Sequence, residues 1–250
     1  MPRKDHRSPR PTEDVNSVAS ARRRQLDPLE FIKTNLPIEP VPAIPDIRLH
    51  MARPASNLWR LVRQGPGNFD PPSPYWAYLW AGGAALARYF LDHPEMVKGR
   101  RVLDLGAGSG IVGIAAAKAG ASKVIAADID PYAALAVDLN AAANGVAVET
   151  IVGDIMGGSA PPADIVGIGD LFYEADLAER VLGFLDSCLA AGMTTLIGDP
   201  GRTYLPRSRL RLLAEYSVPD FGDVKGAAMS IGCVFMLDPA QVAPSVRNAG

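Results

Sequence analysis

The stretch VLDLGAGSG, residues 102–110, is the most informative part of this 250-residue chain. Its first half is a short apolar run that carries the acidic Asp104, and its second half is a turn with a glycine at every other position. Glycine lets a backbone bend sharply or approach a ligand closely, because it has no side chain. The alanine-rich segment from Ile111 to Lys118 follows and is typical of a helix. A strand, a glycine turn and a helix N-terminus in this order predict a nucleotide-type binding site, with unpaired N–H groups beside a cleft.

Two kinds of ligand fit the glycine turn. Gly108, Gly110 and Gly113 satisfy the G-x-G-x-x-G pattern of dinucleotide sites, and Asp128 follows a second predicted strand at a fitting distance. The acidic Asp104 disfavours a pyrophosphate directly above it and suits a ligand with a cationic amino group. The longer D-x-G-x-G-x-G pattern resembles motif I of the Rossmann-like S-adenosylmethionine-dependent methyltransferases. A NAD-binding oxidoreductase stays open as the alternative from another class.

Composition excludes several classes of protein. With 250 residues, of which 48% are hydrophobic, the chain can bury one substantial core. The net charge of −2 gives no basic footprint for nucleic acid, and no apolar run approaches the ~20 residues of a membrane span. The cysteines, Cys188 and Cys233, are too few and too far apart for a metal or disulfide framework. We expect a monomer without metal, membrane or nucleic acid, in a bacterial cytoplasm or a mitochondrial matrix.

The chain divides into four parts by composition. Residues 1–25 carry many basic residues among Ser and Pro with little to bury, which predicts a disordered tail. Residues 26–74 are predicted to hold a short helix and a proline-rich extension, which could close over a small substrate. Residues 75–240 are predicted to form the methyltransferase domain, and residues 241–250 a C-terminal tail. A helix is expected from Tyr75 to about His93, loosened at Gly82-Gly83.

The domain alternates strands and helices as an α/β, doubly wound fold does. The strands are predicted at 101–105, 123–127, 148–152, 164–168 and 194–197, with helices at 111–119, 131–143, 176–189 and 207–213. Two late runs, 214–218 and 230–237, predict an antiparallel pair at the end of the sheet. The expectation is a Rossmann-like, mostly parallel seven-stranded sheet with an antiparallel C-terminal strand pair, as class I methyltransferases have.

Ligands of such sheets bind outside the carboxyl ends of the strands. Asp128 is expected to accept hydrogen bonds from both ribose hydroxyls, and Asp154 from the adenine amine. Ile129 and Ile155 are expected to pack on the adenine faces, and Trp80 to lie beside the cofactor. The full set of predicted cofactor-binding residues is Trp80, Asp104, Gly106, Ala107, Gly108, Gly110, Asp128, Ile129, Asp154, Ile155 and Gly169.

A more specific resemblance lies after the fourth strand. Methyltransferases of nucleobase or glutamine amines usually carry Asn/Asp-Pro-Pro-Tyr there, whereas this chain has Asp-x-x-Tyr at 170–173, a form that resembles protein lysine methyltransferases. Four segments look like the electron transfer flavoprotein β subunit lysine methyltransferases: PYWAYLWAGG (74–83), ADIDP (127–131), GDLFYEADLA (169–178) and IGDPGR (197–202). The likeness covers about Pro45 to Leu237. One departure is Ala81, where relatives commonly have proline.

The resemblance implies a substrate and a reaction. The enzyme would transfer methyl groups from S-adenosylmethionine to lysines of a folded protein, the electron transfer flavoprotein β subunit. Methylation near its dehydrogenase-docking surface would weaken electron transfer. A ribosomal-protein L11-type or small-amine methyltransferase and a non-catalytic S-adenosylmethionine-binding protein remain alternatives.

Asp170 and Tyr173 match the acceptor motif of that family and are the predicted catalytic residues. A carboxylate can orient a lysine amine by a charge-assisted hydrogen bond. It also stabilises the ammonium form, so it cannot lower the lysine pKa by itself. Trp76 and Phe172 are predicted to wall the acceptor site. A simpler role for Asp170 is to cap the helix that follows.

Overall fold

The apolar run at 101–105 forms the central strand of the sheet, β3, and its side chains are buried on both faces after Arg101. The computed structural model describes residues 26–62, 73–220 and 228–239. The predicted tails at 1–25 and 241–250 lie outside these residues, as do 63–72 of the proline-rich segment.

The main sheet has seven strands in the order β5-β4-β3-β6-β7-β9-β8. Strands β3 to β7 are parallel, whereas β9 runs antiparallel to β7 and to β8. The predicted α/β fold with an antiparallel C-terminal pair is confirmed. The strands are β3 (Arg101–Leu105), β4 (Lys123–Asp128), β5 (Glu149–Val152), β6 (Ile165–Gly169), β7 (Thr194–Asp199), β8 (Leu210–Asp220) and β9 (Ala228–Leu237).

Helices cover both faces of this sheet. One face carries α3 (Ala81–Asp92), α4 (Ile111–Lys118) and α5 (Pro131–Ala143), and the other carries α6 (Ala175–Ala190). The chain moves outward to β4 after β3 and returns to the other side of β3 as β6, which makes the β3/β6 boundary the topological switch point. Ligand crevices of open α/β sheets lie at such a point, so the fold places the glycine turn beside one.

The N-terminal segment packs against the outer side of α5. It contains α1 (Pro28–Asn35), a two-stranded hairpin of β1 (Ile38–Val41) and β2 (Ile44–His50), and α2 (Trp59–Val62). The buried amide of Asn140 on α5 accepts a hydrogen bond from the backbone N–H of His50 at 2.7 Å. Among the described residues, no helix is long and apolar enough to cross a bilayer.

The predicted helix from Tyr75 to His93 is wrong in its first half. Tyr75–Ala77 form a 3₁₀ turn, the chain is extended at Trp80, and α3 begins at Ala81. Gly82 and Gly83 do not loosen the helix; they lie inside it, where α3 approaches β6 and β7 at main-chain distance. Glycine as a breaker and glycine as a close-packing residue give the same sequence signal.

The helix predicted at 207–213 is also wrong. Only Arg207–Arg209 are helical, as one 3₁₀ turn, and β8 begins at Leu210, paired with Leu237. Leucine and arginine favour helices intrinsically, but pairing with β9 outweighs that preference.

Candidate functional site

A cavity of about 500 Å³ opens at the carboxyl ends of the parallel strands. The glycine turn, the ends of β4 and β6, and the segment from Ser73 to Trp80 line it together. Thirteen of the fifteen predicted site residues reach this cavity; the exceptions are Gly110 and Phe172.

Three glycines of the turn have left-handed backbone angles that other residues rarely adopt: φ is 68° at Gly106, 53° at Gly108 and 80° at Gly110. The N–H groups of Gly106 and Ala107 both donate to the carbonyl of Ala127, and that of Gly110 donates to the carbonyl of Ala107. The N–H of Gly108 donates to Asp128. These four N–H groups already donate to acceptors within the protein, so they do not form the expected row of free N–H groups for a pyrophosphate.

Gly110 serves packing rather than ligand contact. A Cβ at this position would lie 3.0 Å from the Val137 side chain of α5. The residue also forms the left-handed N-cap of α4.

Asp104 places a buried carboxyl at the floor of the cavity. It is 1% exposed and accepts a hydrogen bond of 2.8 Å from the N–H of Gly113. Burial raises the pKa of Asp104 to about 7, with a smaller contribution from the neighbouring charge of Asp128. A cationic ligand group beside it would stabilise the ionised form.

Asp128 ends β4 with both oxygens oriented. Its Oδ2 accepts from Gly108 at 2.8 Å and its Oδ1 accepts from the N–H of Asp130 at 2.9 Å. Each carboxylate oxygen keeps a second lone pair, so the group can still accept from two neighbouring hydroxyls. Ile129 follows with a side chain that is 71% exposed at the cavity rim.

Asp154 lies at the opposite wall, after β5. It accepts from the N–H of Met156 at 3.0 Å and forms an ion pair with Arg180 of α6. These contacts, the backbone hydrogen bond first, lower the pKa of Asp154, so the group stays an acceptor at neutral pH. Ile155 lines the same wall. The sequence patterns gave no sign of Arg180, which lies 26 residues further along the chain.

Asp170 follows β6 in a strained backbone, with φ of 59°. Its carboxylate is 7% exposed. Oδ2 accepts from the N–H of Gly83 at 2.9 Å, and Oδ1 accepts twice from the guanidinium of Arg202, at 2.6 and 3.0 Å. Burial raises the pKa of Asp170 to about 6 against the lowering effects of Arg202 and Gly83. Non-glycine residues held at such angles cluster at functional sites.

Aromatic rings surround this end of the cavity. The ring of Tyr75 makes edge contacts with Trp80 at 5.5 Å and with Tyr173 at 5.9 Å between centroids. Trp80 also donates its indole N–H to the carbonyl of Tyr75 at 3.0 Å. Trp76 lines the cavity but is 2% exposed and packs on Tyr132.

Phe172 does not reach the cavity. It is 1% exposed and packs in the core between α6 and the sheet. Leu171 and Tyr173 line the cavity instead, because side chains on either side of Phe172 point the other way. The expectation that Phe172 walls the acceptor site is therefore corrected.

Sequence reasoning did not foresee that the Asp170 carboxylate has a resident partner. Arg202 belongs to the IGDPGR segment, where Asp199 holds the loop by accepting from the N–H groups of Gly201 and Arg202, both at 2.7 Å. The segment holds one Asp and one Arg, and nothing in that pattern marks Arg202 as the partner of Asp170.

A comparison with protein-family models and a comparison with solved structures both find similarity to methyltransferases. The family model described as ribosomal protein L11 methyltransferase (PrmA) matches residues 86–167. A crystal structure of a Pyrococcus horikoshii protein described as an RNA methyltransferase superposes with a TM-score of 0.51 and 16% identity, covering 73% of this chain and 94% of that one. At that identity the likeness shows the fold alone.

The sequence relatives indicate a more specific family than the family model or the solved structure. The electron transfer flavoprotein beta subunit lysine methyltransferase of Danio rerio is 42% identical over 182 residues, covering 70% of this chain and 69% of the relative. The Xenopus laevis protein of the same name is 36% identical over 218 residues, covering 85% and 87%. The second match spans most of the chain and therefore extends far beyond the glycine turn. The chain therefore belongs to the family of electron transfer flavoprotein beta subunit lysine methyltransferases.

Proposed function

We propose that this protein transfers methyl groups from S-adenosylmethionine to lysine side chains of the electron transfer flavoprotein β subunit. The observation that carries the proposal is one continuous cavity with a nucleoside-type end at Asp104 and Asp128 and an acceptor end at Asp170 and Tyr173. The names of the relatives supply the protein substrate.

The residues of the nucleoside end fit S-adenosylmethionine better than a dinucleotide. Asp104 offers a buried carboxyl to a cationic amino group, and Asp128 offers two oriented oxygens to a ribose. Asp154 and Ile155 would hold the adenine edge and face. The N–H groups that a pyrophosphate would need are spent at Gly106 and Gly108, which disfavours NAD.

The acceptor end orients an amine. When bound, S-adenosylmethionine would supply the methyl group from its sulfonium. The nitrogen lone pair of the neutral lysine amine would form the new N–C bond, and the electrons of the broken S–C bond would stay on sulfur. Oδ2 of Asp170 accepts one hydrogen bond, from the N–H of Gly83, and its second lone pair would accept a hydrogen bond from that nitrogen. Tyr75, Trp80 and Tyr173 limit the space around the amine and exclude water. Positioning supplies most of the catalysis in this account.

The rim suits a lysine presented by a macromolecule. Tyr75 is 49% exposed and Tyr173 38%, so aromatic side chains at the mouth of the cavity can meet a protein surface. This arrangement favours a protein substrate over a small amine. We propose that the methylated lysines lie near the dehydrogenase-docking surface, where methylation weakens docking.

The test is transfer of labelled methyl from S-adenosylmethionine to purified electron transfer flavoprotein, with a ribosomal-protein fraction and free lysine alongside. Label on the β subunit that is lost with Asp170→Asn supports the proposal. Label on the ribosomal fraction or on free lysine, with none on the β subunit, contradicts the substrate and keeps the methyl-transfer chemistry.

A further inference from the structure

Arg202 contacts both Asp170 and Trp80 at the acceptor end of the cavity, and no sequence pattern predicted either contact. Its Nε and Nη2 donate to Oδ1 of Asp170 at 3.0 and 2.6 Å. Its guanidinium lies over the ring of Trp80, 5.5 Å from the centroid. The side chain is 22% exposed and lines the cavity. A fixed cation therefore stands inside the acceptor site.

This cation changes the chemistry of the site. An isolated buried carboxylate would favour the ammonium form of lysine, which has no lone pair for the methyl group. The Asp170–Arg202 pair carries no net charge, and a guanidinium disfavours a second cation nearby. Oδ2 still accepts a hydrogen bond from a neutral amine.

We propose that Arg202 is a positioning residue for methyl transfer: it cancels the Asp170 charge so that the acceptor lysine binds as a neutral amine, and it fixes the direction in which Oδ2 points. This inference rests on the proposed function. Arg202 acts through Asp170 and needs no contact with the reacting atoms.

The surrounding groups support a dedicated position for Arg202. Asp199, at the end of β7, accepts from the N–H of Arg202 at 2.7 Å, and its own carboxyl is buried. Helix α3 contributes an uncharged group to Asp170, the N–H of Gly83. The charged groups that shift the pKa of this carboxylate are Arg202 and Asp199. Burial and Asp199 raise the pKa of Asp170, whereas Arg202 lowers it.

The experiment compares Arg202→Gln and Arg202→Lys with the wild type in kcat and KM for the β subunit across pH. For the wild type we expect the rise of log kcat/KM with pH to become less steep near pH 6, because burial raises the pKa of Asp170 to about 6. Without the cation, Arg202→Gln moves this bend up by about one pH unit or more and lowers kcat on the order of 100-fold. The lysine variant keeps the bend near its wild-type position, because it keeps the charge, but recovers only part of kcat, because it lacks the planar fork.

A matched control is available at the amino-terminal ends of the parallel strands, opposite the cavity. Arg101 pairs with Asp164 through Nε and Nη2 at 3.2 and 2.7 Å, away from the cavity. Arg101→Gln is expected to leave kcat, KM and the bend unchanged. Binding of S-adenosylhomocysteine and the melting temperature report whether the Arg202 variants keep the fold.

A second readout needs no turnover. Carbon-13 NMR titration of the Asp170 carboxyl in the purified protein is expected to show a higher midpoint in Arg202→Gln than in the wild type or Arg202→Lys. An unchanged midpoint and bend in folded Arg202→Gln overturns the inference, as does an equal loss of kcat in both variants with no shift. A wild type that transfers no methyl to the β subunit contradicts the proposed function instead, and the titration still decides whether Arg202 controls Asp170.

Discussion

Gly82 and Gly198 meet through their main chains. A Cβ on Gly82 would lie 2.2 Å from the carbonyl oxygen of Gly198, and a Cβ on Gly198 would lie 2.0 Å from the carbonyl oxygen of Gly82. No real Cβ tolerates such distances, so helix α3 can reach β7 only if both residues are glycine. The contact sets the position of α3, whose Gly83 N–H holds Asp170.

We expect Gly198→Ala to destabilise the protein by about 3 kcal/mol or more, because neither main chain can move aside. Urea unfolding measures the change. Gly183 in α6 is the matched control: it is exposed, and a Cβ there meets nothing within 4 Å. Gly183→Ala is expected to stabilise by about 0.5–1 kcal/mol through helix propensity. Equal stabilities of the two variants would contradict the close contact.

Asp170→Asn tests the acceptor carboxylate. Asparagine tolerates left-handed backbone angles, so the variant should keep the local fold at φ of 59°. The amide keeps one acceptor oxygen, but it loses the charge that pairs with Arg202 and the second acceptor oxygen. We expect kcat to fall on the order of 100-fold or more, with S-adenosylhomocysteine affinity unchanged. Calorimetric binding that falls together with kcat would show that Asp170 serves the cofactor instead.

Asp128→Asn tests the ribose contact. The amide keeps one acceptor but loses the charge and the second acceptor, and charged hydrogen bonds contribute about 1.5–3 kcal/mol. We therefore expect S-adenosylhomocysteine to bind roughly 10-fold to 150-fold more weakly, as measured by calorimetry. Asp138→Asn on the exposed face of α5 serves as the control and should bind normally. Normal binding by Asp128→Asn would remove this residue from the cofactor site.

Asp104 predicts a pH effect on stability. Its pKa is raised from 3.8 to about 7 in the folded protein, so between these values the folded state holds a proton that the unfolded state has released. The free energy of unfolding from this group therefore falls as pH rises through that window. Asp104→Asn should remove this fall, which chemical unfolding at pH 5 and pH 8 measures. If the wild type and Asp104→Asn showed the same dependence of stability on pH, the raised pKa of Asp104 would be contradicted.

The same carboxyl predicts a proton change on ligand binding. A cationic amino group placed against Asp104 lowers its pKa, so the protein should release up to about one proton when S-adenosylhomocysteine binds near pH 6.5. Calorimetry in buffers of different ionisation enthalpy measures this release. Asp104→Asn should show none. Equal proton release by both proteins would place the amino group elsewhere.

The sequence predicted the strand ends well. Asp104, Asp128 and Asp154 all reach the cavity, because the carboxyl ends of parallel strands meet at one edge and a short strand fixes where it ends. The alternation of apolar and turn segments predicted strands β3 to β7 for the same reason. The local sequence pattern was sufficient to predict the position of a residue wherever that position depends only on the strand to which the residue belongs.

Features that depend on distant segments were beyond sequence reasoning. Arg202 pairs with Asp170 across 32 positions, and no local spacing marks such a pair. Phe172 was predicted to face the cavity but is buried in the core. Neighbouring side chains point to opposite sides after the strand ends, so an error of one position exchanges a cavity residue for a core residue. The start of β8 at Leu210 depends on pairing with β9, which overrides the helix preference of its residues.

The intact mass of the electron transfer flavoprotein β subunit after incubation with this protein and S-adenosylmethionine shows whether the β subunit is the methyl acceptor. We expect a mass increase by whole methyl groups, located on lysines by peptide sequencing and lost with Asp170→Asn but not with Arg101→Gln. A β subunit of unchanged mass, from an enzyme that binds S-adenosylhomocysteine and methylates another protein, would contradict it.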